Sequence, residues 1–211
     1  TFRFGDAAVE LTAPAPDVLR LRVGGPSLLS ATADAAKAPA GRRGPKPGGA
    51  TSRHRVTFST SAGRFSMNGR TGAWTLHDSG GLEVFRCTAF ALADAQPQLT
   101  FQLAEGESIF GLGECTGPLN KRGLIREFWN ADVLGQSSCI HPSLRNLYVS
   151  IPFALSLREG RAGGLFWDNP ARQTWDIGCT EPDEFRLRAA TGALDLYLFL
   201  GPTPVDVVAR F

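Results

Sequence analysis

Short runs of alternating apolar and polar side chains, each ended by a turn signal, recur along almost the whole chain and restrict it to antiparallel β structure. In Val18-Leu19-Arg20-Leu21-Arg22-Val23, the residues Leu19, Leu21 and Val23 share one face while Arg20 and Arg22 take the other. That period of two belongs to a half-buried strand. Comparable runs occupy 54–59, 64–68, 73–76, 82–86, 98–103 and 107–110. Between them stand Ser61-Ala62-Gly63, Gly69-Arg70-Thr71-Gly72 and Asp78-Ser79-Gly80-Gly81, rich in the residues that tight turns need. Hairpins at this spacing predict a sandwich rather than βαβ units.

The second half continues with runs at 123–129, 147–157, 164–167, 174–177, 184–188 and 194–200. The 147–157 run is the most apolar and predicts a central strand, with Pro152 at an edge or bulge because proline cannot donate to a ladder. No amphipathic helix of useful length is expected before residue 203. The 211 residues suffice for one all-β domain, expected over 1–200, with no need of a disulfide or metal staple.

Charge and cysteine usage exclude several partners. A formal net charge of +2 gives no electrostatic reason to expect nucleic acid or a membrane surface. No apolar run approaches the roughly 20 residues of a membrane helix. The four cysteines, Cys87, Cys115, Cys139 and Cys179, form no CxxC pair, so zinc spacing is absent and reduced thiols are expected. No cofactor is expected, and the cytoplasm is the expected compartment.

Two stretches break the strand rhythm. Residues 30–52 lack large apolar side chains and predict a surface loop. The basic residues Arg42, Arg43, Lys46 and Arg53 there read as solvated, because no aromatic residues are interleaved for base stacking. Residues 130–146 form a second long loop between two strands, the kind of place where binding groups sit on a rigid sheet. At the other end, Gly201-Pro202 stops the last strand. Thr203 suits an N-cap, Pro204 the first helical position, and Asp206 completes a capping box. A helix this short is marginal alone, so support from beyond residue 211 is expected.

The region 108–211 carries five ordered motifs. They are Phe110-Gly111-Leu112-Gly113-Glu114, with Thr116-Gly117-Pro118-Leu119; Trp129-Asn130-Ala131-Asp132; and Leu147-Tyr148-Val149-Ser150-Ile151-Pro152-Phe153. Then come Gly164-Leu165-Phe166-Trp167-Asp168-Asn169-Pro170, with Trp175-Asp176-Ile177-Gly178, and Gly201-Pro202-Thr203-Pro204, with Asp206-Val207-Val208. Together they resemble family 31 glycoside hydrolases, the α-glucosidase and α-xylosidase group. Cys115, Gln136 and Trp175 depart from the residues usual in that group.

The resemblance implies an antiparallel β-sandwich of the galactose-mutarotase-like (supersandwich) type, the amino-terminal domain of a retaining α-glycosidase. Residues 201–211 then open the linker helix to a (β/α)₈ barrel that holds the nucleophile and the acid/base. The barrel's "DMNE"-like signature is absent from residues 1–211, so no catalytic residue is expected in this chain and the chain alone is expected to be inactive. The partners implied are that barrel and an α-linked oligosaccharide. The substrate contact implied by the family's loop is Asp132. Beside it, Trp129 offers a ring face to a sugar or packs under its own loop, and Asn130 contacts sugar or caps the turn.

Other arrangements fare worse. Retaining hydrolysis needs two carboxyl groups about 5–5.5 Å apart. Glu127 and Asp132, five steps apart in an extended segment, lie about 16 Å from each other on opposite faces. Asp168-Asn169-Pro170 reads as a turn between strands, and Glu114 as a structural hydrogen-bonding group. A mutarotase-like epimerase needs converging histidines, whereas His54, His77 and His141 are scattered. A stand-alone carbohydrate-binding sandwich is the remaining alternative.

Overall fold

The computed structural model describes residues 1–4, 7–24, 48–52, 55–93, 96–131 and 147–211. In chain order they form β1 (Phe2–Phe4), β2 (Ala7–Ala15), β3 (Val18–Gly24), β4 (Gly48–Ser52), β5 (Arg55–Ser59), β6 (Gly63–Asn68), β7 (Trp74–Asp78) and β8 (Glu83–Ala93). There follow β9 (Gln96–Gln102), β10 (Ser108–Gly111), β11 (Leu124–Phe128), β12 (Phe153–Arg158), β13 (Arg161–Trp167), β14 (Gln173–Ile177), β15 (Glu184–Ala189), β16 (Leu194–Gly201) and α1 (Pro204–Arg210).

Two antiparallel sheets result, the sandwich that the alternation predicts. One runs β1-β2-β3-β16-β13-β12-β10 and the other β11-β14-β15-β9-β8-β7-β6-β5-β4. Their inner faces make the core. Leu19, Leu21 and Val23 of β3 stand opposite Leu198, Leu196 and Leu194 of β16, and Leu165 and Trp167 of β13 continue the layer. The nine-stranded sheet answers with Phe65, Leu76, Phe85, Leu99, Phe101, Trp175 and Leu187. Trp175 lies between Phe128 and Phe185, with ring centroids at 4.7 and 5.6 Å, and its Nε1–H donates to Gln173 Oε1 at 3.0 Å.

Two expectations need correction. The 147–157 run is not one central strand: β12 begins at Phe153 and lies second from the edge, and β16 holds the middle of its sheet. Pro152 has no N–H to give, so the ladder starts after it, while its carbonyl accepts the Trp167 N–H at 3.0 Å. Within the expected loop 30–52, Gly48–Ser52 forms the edge strand β4, whose small side chains show no apolar period. The helix α1 also finds support inside the domain.

That support is specific. The capping box forms, with Asp206 N–H donating to Thr203 Oγ1 at 3.3 Å and Thr203 N–H to Asp206 Oδ2 at 3.1 Å. Val207 is fully buried on the outer face of the seven-stranded sheet with Val18, Phe153, Ala162 and Phe199. Glycines make its seat: a Cβ at Gly164 would lie 2.7 Å from Val207 Cγ1, and one at Gly201 2.8 Å from Cγ2. Phe211 closes the end by stacking on Phe153 at 4.2 Å.

Farther along the same face sits an ion network. Arg20 grips Asp195 through Nε and Nη2 at 2.8 and 2.6 Å, while Arg22 approaches Asp195 at 3.5 Å and Glu10 at 3.1 Å. Asp195 is buried, so the bidentate pair supplies the partners its charge requires.

Candidate functional site

The strand β11 alternates as its sequence demands: Arg126 and Phe128 turn inward while Ile125 and Glu127 face out. Trp129 and Asn130 follow directly and project from the end of the sandwich. Trp129 is 54% exposed, whereas Trp74, Trp167 and Trp175 are at most 2% exposed. A large ring left in water is unusual for tryptophan. Arg172 lies over it at 5.6 Å and is itself held by Glu127 through Nε at 2.8 Å and Nη2 at 2.6 Å.

The segment that follows is closed at its base, since the Ala131 N–H donates to the Leu147 carbonyl at 3.0 Å. Asp132 falls outside the described residues, as do Gln136, Cys139 and His141. Glu114 has the structural role expected of it: its Oε2 accepts the Tyr148 N–H at 3.2 Å, and its own N–H donates to Val149 O at 3.1 Å. Gly113 makes this approach possible. It sits at φ +71°, and a Cβ there would meet Ile151 N at 2.5 Å. Beneath, the buried Arg126 donates to Glu114 O at 3.2 Å, and burial pushes its pKa down, offset in part by Cys115 and Glu127.

The opposite wall comes from the β13–β14 connection. Asn169 is structural: its Nδ2 donates to Thr191 O at 2.9 Å and Ala193 O at 3.1 Å, and its Oδ1 accepts the Ala171 N–H at 2.8 Å. Asp168 precedes it, its N–H donating to Asp195 O at 2.8 Å. Its side chain is exposed beside the groove, and its pKa is raised by desolvation and by Asp195, with Arg20 pulling the other way. Ser150 joins it from the stretch before β12, with a buried hydroxyl that has no hydrogen-bond partner. Trp129, Asn130, Ser150 and Asp168 thus line one groove of about 510 Å³ where the two sheets meet.

Other candidates are not brought together. Glu127 is engaged with Arg172. His77 stands 3.9 Å from Glu83, and His54 lies outside the described residues, like His141. Cys87, Cys115 and Cys179 are free thiols. Among the described residues, no group of three or more His, Cys, Asp or Glu is placed to hold a metal ion.

The sequence pattern of the glycosyl hydrolase 31 N-terminal galactose mutarotase-like domain matches residues 8–176. The chain belongs to that family. Within it, this mutarotase-like domain is 40% identical over 107 residues to Alpha-glucosidase 2 of Bacillus thermoamyloliquefaciens, covering 51% of this chain and 13% of that protein. It is 32% identical over 112 residues to Alpha-xylosidase XylQ of Lactiplantibacillus pentosus, covering 52% and 13%. A solved Flavobacterium johnsoniae GH31 dextranase complexed with isomaltotriose shares the fold with a TM-score of 0.76 at 21% identity, over 97% of this chain and 25% of that one. A glucosidase II alpha subunit does so with a TM-score of 0.75 at 16% identity, over 96% and 30%. The galactose mutarotase-like domain described here thus spans only a small part of the relatives it matches.

Proposed function

We propose that the chain is the non-catalytic amino-terminal domain of a retaining α-glycosidase acting on α-linked glucosides or related sugars. It packs on the catalytic barrel and lends the substrate site the loop that carries Asp132, with Trp129 and Asn130 at its root. The observation that carries this reading is the exposed indole of Trp129, fixed by Arg172 beside a groove rather than folded into the core. An aromatic ring with nearby amide and carboxylate groups suits a pyranose, which has an apolar face and a rim of hydroxyls. Packing on a barrel is supported by α1, where Val205, Val208 and Phe211 remain exposed around the buried Val207.

The chemistry of bond cleavage belongs to carboxylates outside residues 1–211. A maltose hydrolysis assay tests the division of labour. The present chain should show no turnover, while the polypeptide read through past Phe211 should hydrolyse the disaccharide with retention. Turnover by the chain alone, or a stop codon directly after Phe211, overturns the reading.

A further inference from the structure

Leu112 holds a backbone conformation that leucine rarely adopts. Its φ is +71°, between Gly111 at +95° and Gly113 at +71°, so the chain turns here in the left-handed sense. A residue that bears a Cβ is strained there, and the strain persists only where the surroundings dictate it. Among the described residues, Glu159 is the other non-glycine with a positive φ, at +51°. It has an ordinary reason, since it shares the tight β12–β13 hairpin turn with Gly160. Leu112 follows β10 on the way to β11, which lies in the other sheet, so no hairpin demands its conformation.

What dictates it lies on both sides of the turn. The Leu112 side chain is fully buried in the main core. Its N–H donates to Phe153 O at 2.8 Å, and the Glu114 N–H reaches Val149 O at 3.1 Å. Glu114 Oε2 takes the Tyr148 N–H at 3.2 Å, and Glu114 O takes Arg126 Nη2 at 3.2 Å. The turn is thus a wedge between β11, through Arg126, and the segment 147–152 ahead of β12. Both neighbours carry groove-lining residues: Trp129 and Asn130 follow β11, while Ser150 and Pro152 belong to the segment. An ordinary negative φ at Leu112 would swing Glu114 away from Val149 and Arg126 and let the two part.

We propose that Leu112 is a positioning residue. Its left-handed turn, locked by the buried side chain, sets where segment 147–152 stands against the root of Trp129 and so shapes the substrate site. Leu112 itself touches no substrate. The part played in a substrate site rests on the function proposed above; the hold of the turn on the segment does not.

Two variants of similar volume separate backbone from burial. Methionine fills the same space and is unbranched at Cβ, whereas the β-branch of isoleucine resists a positive φ. Amide hydrogen exchange is measured on the present chain, and maltose kinetics on the polypeptide read through past Phe211. Leu112→Met should match the parent in both. Leu112→Ile should lose protection at the amides of residue 112, Glu114 and Tyr148 while those of β16 keep theirs. It should also raise KM about tenfold with kcat nearly unchanged, the mark of lost binding geometry. Gly113→Ala repeats the test without altering the buried side chain, because its Cβ would meet Ile151 N at 2.5 Å, and it should give the same pattern. Unchanged protection in Leu112→Ile or Gly113→Ala overturns the lock, as does a Leu112→Met variant that behaves like Leu112→Ile. Lost protection with unchanged KM overturns the positioning role and leaves the enzyme-domain reading standing. A fall in kcat at unchanged KM reports only a smaller folded fraction, and it overturns the role as well. A parent enzyme inert on maltose overturns the function proposed above together with the role, a failure visible without any variant.

Discussion

Val207 and Gly164 fit each other as knob and socket: a single methyl group added at Gly164 would stand 2.7 Å from Val207 Cγ1. The contact seats α1 on the outer face of the seven-stranded sheet and fixes where the chain leaves the sandwich. Gly164→Ala should cost about 1–3 kcal/mol through overpacking, since Phe153 and Phe199 crowd the same point at 3.0 and 3.1 Å. Val207→Ala should cost about 2 kcal/mol from lost burial and the cavity left behind. In urea denaturation, the double variant should lose clearly less than the sum. Strict additivity of the two losses argues against the socket.

The Asp195 network makes a sharper demand. Its carboxylate is buried and is shared by Arg20 and Arg22, and it holds the Arg20 pKa above its ordinary value. Asp195→Ala leaves two guanidinium groups against a buried void and should destabilise the domain by about 3–5 kcal/mol. A loss below about 1 kcal/mol in chemical denaturation means that solvent already serves these arginines.

Asp168 should act against stability at neutral pH. Its pKa is raised, first by desolvation and then by repulsion from Asp195, with attraction to Arg20 opposing both. A carboxyl group whose folded pKa exceeds the unfolded value stabilises below the unfolded pKa, near 3.9 for aspartate, and loses that contribution as pH rises through the folded pKa. Asp168→Asn should therefore raise Tm at pH about 7 and leave it unchanged below about pH 3.5. A Tm gain that is identical at both pH values contradicts this assignment.

Local pattern carried much of the fold. Strand β13, strand β16, the turns around Gly69 and Gly80, and the capping box at Thr203 follow from alternation, glycine placement and N-cap chemistry. Which strands neighbour each other did not follow, because Arg20 and Asp195 meet across 175 positions of sequence. Strand β4 was hidden as well, since small residues join an edge by backbone pairing without an apolar period. The site divided in the same way. The motif drew attention to Trp129 and Asn130, whereas Ser150 and Asp168 come beside them in one groove only through folding. One signal was available for Asp168: of two adjacent Asx residues, only one is needed to close the turn, and Asn169 does it.

The thiols should separate by burial. Cys87 is buried and its pKa is pushed up to about 12 by desolvation, so its thiolate is scarce at neutral pH. Cys179 is exposed in the turn after β14. A thiol-specific reagent followed by peptide mapping should modify Cys179 in the native protein and Cys87 only on unfolding. Labelling of both at equal native rates contradicts the packing described around Cys87.

The claim that this domain helps to form a substrate site is tested most directly by Asp132→Ala in the full-length enzyme, with kcat/KM measured on an α-linked disaccharide. Loss of a charged hydrogen bond to a sugar hydroxyl, about 1.5–3 kcal/mol, predicts a fall of about 10- to 150-fold with the folded protein intact. Unchanged kcat/KM in a folded variant contradicts the account and reduces the domain to a scaffold.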